Sequence, residues 1–269
     1  MKLITALLLI VSSYLIWTVA AADQQARVTI LNIGQGDSIL VETPSGTRIL
    51  VDGGPDGTVV NELGQVLPWW TQTIDVLVVT HADTDHFAGL NAVLESYHIR
   101  EVWYAEDVST ASAYQYFIRQ LADRNITTRA LYAGDEVRVD AASLVHVLWP
   151  LRGTTLERNA RSLVLELAVN GIETLLTGDL PIEQEEEILQ RGWLHDIDIL
   201  KVGHHGSAGS SGEEFLSALR PELCLISAGL DNKFGHPKPE VLTRLAAVGC
   251  TIKITSELGR IVVPLSAGN

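Results

Sequence analysis

The sequence predicts an α/β fold in which two mixed β-sheets pack face to face with helices on their outer sides, an αββα sandwich. Three observations point to it. Short apolar runs of strand length, bounded by Gly, Pro, Asn and Asp, occur in two successive sets, and helical periodicities are interleaved with both. The residues best suited to metal binding fall at the ends of apolar runs in each set, so the two halves would converge on one edge. With 269 residues, 46% of them hydrophobic, the chain has enough apolar material for one large domain.

The N-terminus stands apart. Lys2 is followed by Leu3 to Ala20, apolar except for Thr5, Ser12, Ser13 and Thr18, and Ala20-Ala21-Ala22 supplies small residues before Asp23. Residues 1–22 read as a secretory signal peptide. Left uncleaved, the run is about long enough to cross a bilayer once and would anchor the chain. In both cases residues 23–269 form the folded domain and are expected outside the cytoplasm. Cys224 and Cys250 each adjoin a short apolar run. An oxidising compartment permits a disulfide between them; two small core residues are the alternative.

In the first set, Val28 to Asn32 reads as a strand, Gly34-Gln35-Gly36-Asp37 as a tight turn and Ser38 to Thr43 as the returning strand. Pro44-Ser45-Gly46 turns the chain into Thr47 to Val51, which ends in Asp52-Gly53-Gly54. Asp37 and Asp52 suit either turn aspartates or carboxylates that order backbone amides beneath the next loop. A helix from Val59 to Leu67 is stopped by Pro68.

Ile74 to Val79 is a buried strand that runs into Thr80-His81-Ala82-Asp83-Thr84-Asp85-His86. Four potential metal donors, His81, Asp83, Asp85 and His86, thus share one short loop. Imidazole and carboxylate bind divalent ions of intermediate hardness. Four donors exceed what one tetrahedral ion takes once others join, so two divalent ions are expected. A polar turn capping the helix from Ala88 to Ser96, with Asp85 as the cap, would need none of the histidines. Gly89 would let that helix approach the sheet. Val102 to Tyr104 is a strand, and Ser112 to Arg124 has helical periodicity. Thr127 to Leu131, Glu136 to Val139 and Leu144 to Leu148 are strands. His146 alternates with apolar neighbours and reads as a packed or surface histidine, not a donor.

The second set begins near Asn159-Ala160-Arg161-Ser162. Ser162 to Val169 and Glu173 to Thr177 flank an Asn170-Gly171 turn. Gly178-Asp179 follows, then a helix from Ile182 to Arg191 behind Pro181. Ile197 to Val202 is a buried strand ending in Gly203-His204-His205-Gly206-Ser207; two histidines between glycines at a strand end are hard to explain by packing. The spacing from Asp179 favours His205 as the donor, with His204 behind it or facing a substrate. Ser207 suits hydrogen bonding to an anion. Glu222 to Ser227 is a strand, and Asp231-Asn232-Lys233-Phe234-Gly235-His236-Pro237 is the loop after it. His236 is either presented to a pocket or caps the helix from Pro239 to Ala247. Thr251 to Thr255 and Ile261 to Pro264 are expected to close the second sheet.

These motifs resemble the metallo-β-lactamase superfamily signature H-x-H-x-D-H, with Asp83 in place of the second histidine. Together with Gly34-Gln35-Gly36-Asp37, Asp52-Gly53-Gly54, His204-His205-Gly206-Ser207 and the Gly235-His236-Pro237 run, they resemble the hydrolase domain of ComEC-type DNA-uptake channel proteins. The resemblance spans nearly all of the chain after residue 26. It implies a metallo-β-lactamase-like sandwich with a pair of divalent ions held by His81, Asp83, Asp85, His86, Asp179 and His205, Asp179 being the bridging carboxylate. Asn159 lies where many members carry a histidine ligand; its amide is a weak donor and is better suited to substrate. The Asp83 carboxylate, harder than imidazole, leans the pair from zinc toward manganese.

The resemblance further implies metal-dependent hydrolysis of a phosphodiester, with DNA as a candidate substrate, Asp85 orienting the attacking oxygen and His236 or His204 serving the leaving oxygen. Ser207 and Asn232 would hold phosphate. The formal charge of −14 opposes tight nonspecific nucleic-acid binding and suits a small phosphodiester, ester or lactone better. A non-catalytic partner domain of an uptake apparatus is a third expectation. The sequence lacks a channel's many spans, so transport itself is not expected of it; a separately encoded membrane channel is a candidate partner that no residue here identifies.

Overall fold

The apolar alternation folds into two seven-stranded sheets in a computed structural model that describes residues 25–266 apart from 106–108, 110 and 157. β1 (Arg27–Ile30), β2 (Ile39–Glu42) and β3 (Arg48–Val51) form an antiparallel meander with Val28 opposite Val41 and Val41 opposite Ile49. β4 (Thr73–Val79), β5 (His98–Tyr104) and β6 (Thr127–Ala130) then add in parallel. The second sheet contains β7 (Glu136–Asp140), β8 (Ser143–Trp149), β9 (Val164–Val169), β10 (Ile172–Leu176), β11 (Ile199–Lys201), β12 (Leu223–Ile226) and β13 (Thr251–Ile254), neighbours in that order. It is antiparallel from β7 to β10 and parallel from β10 to β13.

Alternate residues of each strand face opposite ways, which assigns the layers. Val28, Val41, Ile49 and Val78 of the first sheet meet Val145, Leu165, Leu167 and Leu176 of the second in one buried cluster. Leu40, Leu50 and Leu77 turn the other way, onto α1 (Thr58–Val66), α2 (Thr84–Phe87), α3 (Leu90–Ser96) and α4 (Ser112–Asp123) through Leu63, Phe87, Leu90 and Phe117. Val164, Leu175 and Leu200 pack against α5 (Ile182–Gln190), α6 (Glu213–Leu219) and α7 (Pro239–Ala247) through Ile188, Leu216 and Leu245. The αββα order is therefore as the sequence predicts.

One strand departs from expectation. β14 (Ile261–Pro264) does not close the second sheet; it pairs antiparallel with β1 in the first, Val263 opposite Val28. Without it, β1 would present an unpaired row of N–H and C=O groups at a sheet edge. Cys224 and Cys250 form a disulfide, tying β12 to the start of β13. The predicted leader or anchor, residues 1–22, lies outside the described residues. Among the described residues no helix is long and apolar enough to cross a membrane.

Candidate metal centre

Strand ends from both sheets place the candidate residues. β4 ends at Val79, so His81 emerges at the C-terminal end of a parallel strand, and α2 begins directly after Asp83. Gly89 lets α3 close on the loop: a Cβ there would fall 2.0 Å from the Gly53 carbonyl oxygen. From the second sheet, Gly178-Asp179 follows β10, and His204 and His205 follow β11. Both histidines adopt left-handed backbone conformations, with φ of 50° and 55°. Such strain in consecutive non-glycine residues is uncommon, and it aims the two rings differently.

His81, His86 and Asp179 form one group of donor atoms lying within 4.8 Å of one another, and Asp85, His86 and His205 form another. Asp179 faces both: its Oδ1 is 3.3 Å from His86 Nε2 and its Oδ2 is 3.6 Å from His205 Nε2. The second oxygen also lies 3.5 Å from His204 Nε2, and Asp85 Oδ2 is 3.6 Å from His205 Nε2. His81 Nε2, His86 Nε2, His205 Nε2 and Asp179 Oδ1 are buried and make no hydrogen bond. Buried polar atoms are normally paired, so four orphans directed at one another mark a cation site. The set of imidazoles and carboxylates fits divalent manganese or zinc.

The far sides of the same rings are held by carboxylates and hydroxyls. His86 Nδ1 lies 2.7 Å from Asp52 Oδ2, which also accepts the Thr80 hydroxyl at 2.6 Å, while Asp52 Oδ1 accepts the Thr80 amide at 2.9 Å. A carboxylate only accepts, so His86 Nδ1 carries a proton, and Nε2 is the atom left to take a metal ion at the centre. His205 Nδ1 makes the equivalent contacts with the Ser227 carbonyl at 3.1 Å and Asp37 Oδ1 at 3.2 Å. His81 Nδ1 is 3.0 Å from Thr80 Oγ1 and 3.4 Å from Ser162 Oγ, and Ser162 Oγ accepts the Asp179 amide. Lys201, buried on β11, donates from Nζ to Asp37 Oδ2 at 2.7 Å and to the Val202 carbonyl.

The electrostatics reflect this excess of carboxylates. Burial opposes ionisation of Asp37 and Asp179. Lys201 and His205 outweigh it at Asp37, and His86 and His205 at Asp179, so both lie well below the usual carboxylate range. Burial likewise opposes a charged His86, but Asp179 and Asp52 raise its pKa well above the ordinary value; Asp179 and Asp37 raise His205 to about 9. His81, in contrast, is pushed down to about 4 by burial and by His86. A pocket that pulls imidazoles toward the charged form is short of positive charge, which bound cations would supply.

The remaining candidates lie around this core. Asp83 is half-buried and belongs to neither donor group; burial raises its pKa while Arg158 lowers it. His204 is one-third exposed, with Asn159 Nδ2 3.4 Å from its Nε2. The His236 ring centroid is 5.8 Å from that of His204, and its buried Nδ1 makes no hydrogen bond. Burial and the neighbouring His204 push His236 down to about 4. Ser207 Oγ accepts the Gly209 amide. Asn232 corrects an expectation: its amide donates to the Gly229 and His236 carbonyls and accepts the His236 N–H, so it shapes the loop that carries His236 and has little left for phosphate. In the sequence Lys201 stands out only as one of the basic residues near the motifs, with Arg161, Lys233 and Lys238; its buried pairing with Asp37 is not foreseen, although a lysine inside an apolar strand is itself a signal.

A family model for the metallo-beta-lactamase superfamily matches residues 31–229. The chain belongs to this superfamily. Metallo-β-lactamase folds bind divalent metals, often two, and generally indicate metal-dependent hydrolases. The chain is 29% identical over 265 residues to ComE operon protein 3 of Bacillus subtilis, covering 92% of this chain and 34% of that protein. It is 28% identical over 267 residues to competence protein ComA of Neisseria gonorrhoeae, covering 93% and 34%. These are ComEC-like competence proteins, as the sequence motifs indicate, and the chain spans about a third of their length. Among solved structures, CmlA, a diiron beta-hydroxylase from Streptomyces venezuelae, aligns with a TM-score of 0.61 at 16% identity, over 90% of this chain and 54% of that one.

Proposed function

We propose that this chain is an extracytoplasmic, dinuclear metal-dependent phosphodiesterase that cleaves DNA in connection with its uptake. The observation that carries the reading is the set of buried, hydrogen-bond-free donor atoms from His81, His86, Asp179 and His205 facing one another between the two sheets. With Asp85 they would hold two divalent ions, manganese or zinc. Such ions lower the pKa of a bound water and polarise a phosphoryl oxygen. Competence-protein relatives favour DNA as the substrate. The disulfide supports an oxidising compartment, and the apolar stretch at residues 3–20 supports export or anchoring.

The chain's own groups divide the remaining work. Asp85, whose side chain is about one-third exposed, orients the attacking water from its Oδ2. His204 and His236 stand at the rim, where an imidazole N–H can donate to a phosphate oxygen or to the leaving oxygen. The Ser207 hydroxyl and the Asn159 amide add neutral donors. Arg158 beside Asp83, with Lys233 and Lys238 on the His236 loop, offers local positive charge on a chain whose formal charge is −14. That overall charge also favours a small phosphodiester as the second reading.

Turnover of bis-p-nitrophenyl phosphate and of single-stranded and duplex DNA, with manganese, zinc or chelator, tests the proposal. His81→Ala should remove bound metal and abolish turnover while leaving the circular dichroism spectrum intact. His236→Ala should cut turnover about 10²-fold with metal content unchanged. Cleavage of the small diester without DNA would select the second reading. Absence of turnover with every metal would sink both.

A further inference from the structure

A second cluster of metal-type donors lies on the helix-facing side of the second sheet and shares no residue with the centre described above. Glu136, His146 and Glu166 sit directly opposite one another on β7, β8 and β9. Their neighbours Val137, Val145 and Leu165 point into the inter-sheet core, so these three side chains project to the other side. Glu173 of β10 and His195, from the segment between α5 and β11, complete the group around a cavity of about 410 Å³. One donor atom each from Glu166, Glu173 and His195 lies within 4.8 Å of the other two.

The independent sign of a ligand is Glu166. Its side chain is only 8% exposed on the wall of this cavity and makes no hydrogen bond to any described residue; its Oε1 has only a long ion pair, 3.7 Å, to His195 Nε2. A largely buried carboxylate held by one long ion pair is weakly compensated, and a cation in the cavity would offset it. His195 Nε2 is committed instead to Glu173 Oε2 at 2.9 Å. Burial raises the Glu166 pKa against the opposing pull of His195 and His146, so the surrounding groups compensate its charge incompletely.

We propose that Glu166, Glu173 and His195 form a separate binding site for a borderline divalent transition-metal ion such as zinc. Imidazole nitrogen and carboxylate oxygen are both donors that zinc takes, and two carboxylates carry charge enough to offset a divalent ion. A strong preference for magnesium or calcium is not expected, because those ions favour all-oxygen cages. Binding would fasten residues 191–198, which include the half-exposed Trp193, to the face of β9 and β10. The site would be structural, and its loss should leave turnover at the other centre in place.

Zinc titration of the full chain by calorimetry, with metal counting on the equilibrated protein, tests this. His195 is about half exposed, so His195→Ala should fold normally; Glu166→Gln probes the buried donor. Each variant should bind one zinc equivalent fewer than wild type, and the zinc-induced rise in Tm should shrink. His81→Ala should retain this equivalent. Equal zinc stoichiometry in wild type and His195→Ala would overturn the proposal. Loss in His195→Ala but not in Glu166→Gln would also overturn it, by showing adventitious binding to a surface imidazole.

Discussion

Asp52 shows how one carboxylate sets the geometry of several neighbours. It fixes the tautomer of His86 and takes both the amide and the hydroxyl of Thr80, at the root of the loop that carries His81. In Asp52→Asn a carboxamide can present only one acceptor oxygen, so one of these donors loses its partner. Second-layer substitutions of this kind cost roughly 10–100-fold in metal affinity. Competition with a chromophoric chelator should show a weakening of that size, and unchanged affinity would remove Asp52 from the machinery. The candidate donors of the 81–86 loop and of the His204-His205 pair could be picked out in the sequence because their spacing is local. The roles of Asp37 and Asp52 were legible only as alternatives, since the groups they hold come from elsewhere in the chain. Lys201 pairs with Asp37 across 164 residues, a contact that local spacing does not reveal.

At the scale of elements, the strands were legible from their alternation, whereas α6, which follows the Gly- and Ser-rich run 206–212, was not. Its start is held by a side chain from another helix. Glu185 of α5 accepts the Ser211 amide at 2.6 Å and the Gly212 amide at 2.8 Å, at the N-terminus of α6. Burial raises the Glu185 pKa to about 7, against the pull of those two amides and of Arg244. A folded pKa above the unfolded value adds stability that is fully present below the unfolded value of about 4.5 and is lost as pH rises through about 7. Comparing wild type with Glu185→Gln cancels every other titration. The wild-type advantage in urea unfolding should therefore fall by on the order of 2 kcal/mol between about pH 5 and about pH 8. Parallel pH profiles would show instead that the two amides keep the carboxylate charged throughout. Arg244, which donates to the Ser211 and Ala208 carbonyls, closes the same junction from α7.

For the molecule as a whole, the metal centre and the seam between the sheets are the same place. Lys201 on the second sheet donates to Asp37 of the first, the Ser227 hydroxyl donates to the Gly36 carbonyl, and the Leu163 amide donates to the Thr80 carbonyl. The Lys201–Asp37 pair is fully buried, so its value lies in mutual compensation: either charge alone would be stranded in a dry interior. Lys201→Met keeps most of the volume but leaves Asp37 with only the imidazoles of His205 and His86 to offset its charge. Breaking a buried pair from one side costs roughly 3–5 kcal/mol, and replacing both charges costs far less. Urea unfolding in chelator should show a loss of that order for Lys201→Met, with partial recovery when Asp37→Asn is added. Because Asp37 also orients His205, the single variant should bind metal more weakly even below its unfolding transition. A loss under about 1 kcal/mol would mean that water or His205 alone compensates Asp37, and that apolar packing between the sheets, not this ion pair, holds the two halves of the centre in register.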